Sequence, residues 1–506
     1  MKIFSTDQIR AWDAYTIAHE PVSSVDLMNR AAATFADWFA RLYPDTGRPV
    51  CVLAGTGNNG GDGVAVARLL HRQFYSVKVL VCAFSGKRSA DFEAQLAALP
   101  PNDAIAVQWL NAPGDLPAIP PGDVVIDALF GSGLTRPLSG EWALLIDRVN
   151  LWPNEKVSID LPSGLFADQA TTGPCIRANR TFSFETPKFA FFFPENAGRV
   201  GEWACGRIGL HPEFDRQTET PFYFSTRSTV QPLLRARPVF SHKGTYGHAL
   251  LVNGSMGKMG AAVLAARACL RSGVGLLTVH TPRFGYVILQ TSVPEAMCSP
   301  DADPLCWSGV PPEPGRYTAI GAGCGIGADP KTAQALKRLI QSAGVPLVLD
   351  ADALNLLAVH PRWHAFLPKN TIITPHPKEF ERLFGPTANA IERSAVQRNM
   401  AHKLGIFIVL KGAYTAIACP DGSCWFNSTG NPGMATGGSG DVLTGLLTGL
   451  LAQGYAAREA CLLGVYLHGL AGDLAAQALS QAGLTAGDIA DYLAPAWLQL
   501  AASNGK

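Results

Sequence analysis

PVCVLAGTGNNGGDGVAVARLLHRQF, residues 49–74, decides the fold of the first part of the chain. An apolar run, residues 49–54, has the character of a short buried strand, and the run from Val64 has helical spacing. Between them lies a glycine-rich loop, GTGNNGGDG, residues 55–63. Gly55-x-Gly57-x-x-Gly60 fits the fingerprint of a dinucleotide-binding strand–turn–helix unit. That fold also wants an acid at the end of the second strand to hold a ribose. Here the second strand ends in VCAFSGKRS, with Lys87 and Arg88 and no acid before Asp91. The basic pair suits a 2′-phosphate, which leaves NADP open. Asn58, Asn59 and Asp62, however, are not needed by a turn that cradles a pyrophosphate. A carboxylate beside a diphosphate is unfavourable unless a cation or hydroxyl intervenes.

Working outward, strand-like and helix-like segments alternate. MNRAAATFADWFARL reads as a helix; VKVLVCAF, DVVIDALFG and VSIDLPSG read as further strands. This alternation predicts an α/β fold with a doubly wound, Rossmann-like parallel sheet, whose ligands sit beyond the carboxyl ends of the strands. Two further strand ends carry chemistry. Asp127 is followed by the loop Gly131, Ser132, Gly133, Leu134, Thr135, Arg136, Pro137; Asp160 and Ser163 follow another strand. Oxygen donors from Asn59, Asp127 and Ser163 suit a hard cation, and Asp160 suits proton transfer. Singly, each of these residues could equally cap a loop or a helix.

The pattern fails over residues 208–238, which are polar and turn-rich and read as a connection between domains. A second strand series starts at GHALLVNGS and runs through GLLTVHTP, YTAIGAGCG, VPLVLDADAL, NTIITPHP and FIVLKGAYTAIACP. GNPGMATGGSGDVLTGLLTGLLAQG then leads a glycine-rich loop into a helix. Its successive N–H groups make an anion nest, and Asp441 in the first helical turn can take a proton from a substrate hydroxyl or simply favour the helix dipole. GSMGKMGA, residues 254–261, lacks the G-K-[ST] of a P-loop, so Lys258 is expected in solvent. Asp350, Asp352, His376, Glu379 and Lys411 stand at other strand ends of the same series.

The whole chain has 506 residues, 47% hydrophobic and 16% charged, enough for two globular domains. With 41 basic and 40 acidic residues the formal charge is +1, which offers no electrostatic case for nucleic acid or an anionic membrane. No signal peptide and no membrane-spanning run is read, and the eleven cysteines show no CxxC pair. A cytoplasmic protein with reduced thiols is expected.

GNNGGDG, VIDALFGSGLTRP and SIDLPSG, in that order, resemble the YjeF N-terminal family of NAD(P)H-hydrate epimerases. The resemblance implies that Asn58, Asn59, Gly60, Gly61, Asp62, the loop Gly131 to Pro137 and Asp160 bind a hydrated nicotinamide nucleotide. It also implies that Asn59, Asp127 and Ser163 hold potassium, with Asp160 as acid/base at C6. GSMGKMGAAVLAA, IGAGCGIG, LDADALN, TPHPKEF, VLKG and NPGMATGGSGDVLTG resemble the YjeF C-terminal family within the ribokinase-like superfamily, which implies an ADP-dependent NAD(P)H-hydrate dehydratase. By position, Ala261, Ala262, Gly323, His376 and Asp441 would contact the hydrate. Lys411, Gly412, Ala413, Tyr414, Thr415 and Gly440 would contact ADP, and Glu379 would support magnesium. The expected domains are residues 1–215, an epimerase, and 225–506, a ribokinase-like dehydratase releasing AMP and phosphate, in a homo-oligomer. Two other readings stay open: a kinase of a small vitamin alcohol, and a nucleotide-binding scaffold.

Overall fold

The computed structural model describes residues 1–502 apart from 85, 102, 103, 312 and 313; the last four residues of the expected second domain lie outside the described residues. The chain divides into two compact units, Lys2–Thr220 and Pro221–Lys506 with Met1.

The first unit is built on a seven-stranded sheet: β1 (Val50–Ala54), β2 (Val77–Cys82), β3 (Ala106–Leu110), β4 (Val124–Ala128), β5 (Lys156–Ile159), β6 (Arg180–Phe184) and β7 (Glu202–Gly206). The strand order is β3-β2-β1-β4-β5-β6-β7, with all pairs parallel. β1 shows why the sheet is covered on both faces. Val50, Val52 and Ala54 pack with Phe35 and Phe39, while Cys51 and Leu53 pack with Leu145 and Ile146 on the other side. The order reverses between β1 and β4, which opens a crevice beyond their carboxyl ends.

The opening sequence differs from its reading in one respect. The glycine-rich stretch, expected to be a loop, is largely helical, because the helix after β1 already starts at Asn58 and runs to Arg72. Small residues make this possible. A Cβ on Gly60 would lie 1.8 Å from the Gly55 carbonyl oxygen, and one on Gly63 would lie 2.5 Å from the Ala128 Cβ. The helix therefore begins pressed against the strand ends, with Asn58, Asn59 and Asp62 in its first turns.

The second unit carries, among the described residues, a ten-stranded sheet: β8 (Phe222–Ser225), β9 (His248–Val252), β10 (Leu276–Thr281), β11 (Met297–Pro300), β12 (Ala319–Ala322), β13 (Leu347–Leu349), β14 (Ile372–Ile373), β15 (Phe407–Leu410), β16 (Ala416–Ala418) and β17 (Cys424–Asn427). Its order is β11-β10-β9-β12-β13-β14-β15-β16-β17-β8, parallel from β11 to β15, with β16 reversed between its neighbours. This is a second α/β unit on a mostly parallel sheet. The helix Ser439–Ala452 lies against the helix Met259–Arg271 so closely that a Cβ on Gly445 would sit 2.0 Å from the Ala265 carbonyl oxygen.

The polar stretch read as a connection is not a bare linker. Phe222–Ser225 forms the edge strand β8 paired with β17, and Ile208 and Leu210 line a cavity of the first unit. No helix among the described residues is long and apolar enough to cross a membrane.

Candidate active sites

In the first unit the carboxyl strand ends border a cavity of about 750 Å³. β5 delivers Asp160, whose backbone is left-handed at φ 62°. A non-glycine residue held there marks a position fixed by its surroundings. Its carboxylate pairs with the buried Lys188 at 2.7 Å and accepts from the Phe184 N–H at 3.1 Å. Asn58, Asn59 and Asp62 enter from the helix start, and Gly131, Ser132, Gly133 and Leu134 from the β4 loop. Gly60 and Gly61 are buried in packing rather than lining the cavity, and Thr135, Arg136 and Pro137 do not line it.

Asp127 sits behind this wall, 1% exposed. It accepts from the Ser158 hydroxyl at 2.8 Å, the Ser163 N–H at 2.8 Å and the Ser163 hydroxyl. Burial still pushes its carboxyl above the usual range. Asn59 is 9% exposed, and its Nδ2 is buried without a hydrogen-bond partner. Burial also raises Asp62 well above its ordinary value, with Asp160, Asp13 and Asp91 adding repulsion.

Several lining residues carried no sequence signal. Asp13, on the helix Thr6–His19, lines the cavity, and burial with the nearby Asp160 pushes its carboxyl up to about 7. Glu185 and Lys188 follow β6 and line it too. An acid and a lysine after a strand, SFETPK, is the one trace of them in the sequence.

In the second unit the strand ends assemble around Asp350, 1% exposed, which follows β13. It pairs with Lys411 at 2.8 Å and accepts from the Thr444 hydroxyl at 2.9 Å. Burial works against charge on Lys411, but Asp350 and Glu379 beside it raise its pKa. The next residue, Ala351, is forced to φ 50°. Gly323, at φ 133°, lies against the Asp350 carbonyl, where a Cβ would be 2.0 Å from the oxygen. Gly440 faces the same pair, its Cβ position 3.3 Å from both the Asp350 carboxylate and Lys411 Nζ.

Asp441 sits one residue further along the helix Ser439–Ala452, after Gly438 at φ 95°. Burial pushes it up to about 6; a hydrogen bond with the Cys324 thiol opposes this and the Asp350 charge adds to it. Behind the loop, His468 Nε2 lies 3.0 Å from the Ser439 carbonyl, and burial lowers it to about 4, so it stands neutral at pH 7. Neither Cys324 nor His468 was legible as a site residue, because Cys324 is one small residue among glycines and His468 one polar residue in an apolar run.

His376 caps the helix Pro377–Phe384. Its Nδ1 accepts from the Lys378 and Glu379 N–H groups, and Glu379 returns an acceptor to the His376 N–H at 2.8 Å. Glu379 also lies 3.8 Å from Lys411 and is raised by burial. Lys411, Gly412, Ala413, Tyr414 and Thr415 form the turn from β15 to β16. Ala261 is partly open, while Ala262 is fully buried. Lys258, expected in solvent, is half-exposed but pairs with Asp352 at 3.1 Å, which also accepts from the Gly327 N–H.

Two α/β units, each gathering carboxylates and glycine-shaped backbone at one strand edge, define a two-site enzyme of nucleotide chemistry. Residues 24–190 match the family model described as YjeF-related protein N-terminus, and residues 249–495 match that described as NAD(P)H-hydrate dehydratase. The chain is 36% identical to the bifunctional NAD(P)H-hydrate repair enzyme Nnr of Moorella thermoacetica, over 93% of this chain and 92% of that protein. It is 32% identical to the protein of the same name from Escherichia coli (strain K12), over 96% and 92%. Among solved structures, the ADP/ATP-dependent NAD(P)H-hydrate dehydratase of Bacillus subtilis, co-crystallised with ATP/Mg2+, is 35% identical with a TM-score of 0.49, covering 55% of this chain and 98% of that one. The chain belongs to the family of bifunctional NAD(P)H-hydrate repair enzymes.

Proposed function

We propose that this chain restores NAD(P)H from its hydrates. The first unit interconverts the R and S epimers at C6, and the second dehydrates the S form using ADP, releasing AMP and phosphate. The observation that carries the second activity is Asp441, a half-buried acid behind a glycine turn, beside the Lys411–Asp350 pair. A hydroxyl is a poor leaving group at neutral pH. Asp441 takes the C6 hydroxyl proton as that oxygen attacks the terminal phosphorus of ADP, and the glycine nest stabilises the charge of the transferring phosphoryl. The C6–O bond then breaks with phosphate leaving, assisted by the ring nitrogen. The C5 proton passes to the departing phosphate, its electron pair forms the C5–C6 double bond, and the dihydronicotinamide is restored. Lys411 to Thr415 and Gly440 would hold the nucleotide; Ala261, Ala262, Gly323 and His376 would hold the hydrate.

In the first unit, the donor set fits a potassium ion. Asn59, Asp127 and Ser163 offer oxygen, and Asp127 is a buried carboxylate with no cationic partner among the described residues. Bound there, potassium would offset that charge and attract a substrate phosphate. In the second unit, Glu379 would support magnesium, which is bound largely by phosphates and water and needs few protein ligands. Asp160, fixed by Lys188, is the acid/base group at C6.

The test uses hydrated NADH and ADP with recovery of the dihydronicotinamide absorbance. Recovery that requires ADP supports the reading; phosphorylation of a small alcohol from ATP with no recovery overturns it.

A further inference from the structure

The helix Thr6–His19 bears none of the motifs that mark the first unit, yet it closes one side of its cavity. Trp12 anchors it: the ring is 4% exposed, stacks with Phe214 at 5.7 Å, and donates to the His211 carbonyl at 2.8 Å. That fixes the helix rotation. Ile9, Asp13 and Ile17, spaced four apart, then share one face, and all three line the cavity. Asp13 is thus an acid set between two isoleucines and aimed into the space that Asp160 enters from the sheet. Asn59, nine-tenths buried and with its Nδ2 lacking a hydrogen-bond partner, lines the same cavity.

The two acids differ in their surroundings. Asp160 is fixed in an ion pair with Lys188. Asp13 has no such cation bound to it among the described residues; the charged groups around the cavity are Asp62, Asp91, Asp160 and Glu185, opposed by Lys188, Lys87 and Arg10. A carboxylate held by a cation suits the base, and a carboxyl set between apolar side chains suits the acid.

We propose that Asp13 is the second proton-transfer residue of the first unit, giving a proton to the ring nitrogen N1 while Asp160 takes one from the C6 hydroxyl. The proposal rests on the epimerase reading of that unit. In this step the C6 O–H proton passes to Asp160 and the C6–O bond becomes a carbonyl. The C6–N1 bond breaks, and its electron pair goes to N1, which receives the Asp13 proton. Rotation about C5–C6 and the reverse step, with N1 closing on the other carbonyl face, give the opposite epimer. Both carboxyls return to their starting states, and no other reactant is consumed. Because Asp13 must enter protonated and sits at about 7, the rate declines at higher pH.

The experiment follows epimerisation of R and S hydrates by the full chain across about pH 6–9, the range in which such groups titrate. Asp13→Asn is expected to lower kcat by about 10²-fold or more, with KM little changed, and to lose the alkaline limb of the profile. Asp13→Glu restores part of the rate and the limb, and it carries the test should the Asn variant not fold. Dehydration of the pure S form stays at the wild-type rate in both. An Asn variant whose rate is unchanged, or whose rate falls with the alkaline limb intact, overturns the proposal. Wild-type protein that does not epimerise overturns instead the reading on which it rests, so the two failures are separate.

Discussion

Asp441 is where a single carboxyl decides an activity. Held at about 6, it is largely ionised at pH 7 and able to accept the hydroxyl proton. Dehydration is therefore expected to fall as pH drops through about 6, read from kcat against pH with a saturating S hydrate. Asp441→Asn is expected to lower dehydration by about 10²–10⁴-fold, the usual span for loss of a general base, while epimerisation continues. Loss of both activities would contradict the division between units. Asp62 is a residue that costs stability. Its folded-state pKa is raised, so between its unfolded and folded values the native state holds more protons, and stability falls as pH rises through that window. Above the window Asp62→Asn is expected to stabilise the first unit, because the buried charge that opposes folding is removed. Melting temperatures compared at acid and alkaline pH read this directly. The gain should vanish at low pH, where both forms are neutral.

At the scale of elements, the helix starts beside the strand ends determine both packing and chemistry. Gly60→Ala is expected to cost about 3 kcal/mol or more, since its methyl would meet the Gly55 carbonyl and backbone cannot yield as a side chain can. Chemical denaturation measures the loss. The dinucleotide-like motif was legible because strand, glycines and helix follow one another in sequence. Its extension into the helix was not, since Gly55 acts by close approach to Leu129 across the fold and Gly60 by pressing the helix start onto Gly55, rather than by turn-forming. The strand-end acids Asp127, Asp160 and Asp350 were legible for the same local reason. Asp13 and Lys188 were not, because their place at the cavity depends on where the Trp12 anchor and the β6 end lie in space. β8 was hidden likewise: four residues in a polar stretch become a strand only by pairing with β17, some two hundred positions away.

Across the whole molecule, one chain unites two reactions whose order gives the fusion its purpose. If the second unit accepts only the S form, the R form is stranded unless the first unit converts it. Asp160→Asn protein mixed with Asp441→Asn protein should then repair both epimers, each supplying what the other lacks through a freely diffusing hydrate; recovery from the mixture, set against either variant alone, measures this. The division of labour between the two units is read from the extent of dihydronicotinamide recovered from an R/S hydrate mixture with ADP. Near-complete recovery is expected of the wild-type chain, prompt recovery of only the S share by Asp160→Asn, and none by Asp441→Asn. Prompt recovery of both epimers by Asp160→Asn, or any ADP-dependent recovery by Asp441→Asn close to the wild-type rate, would contradict it.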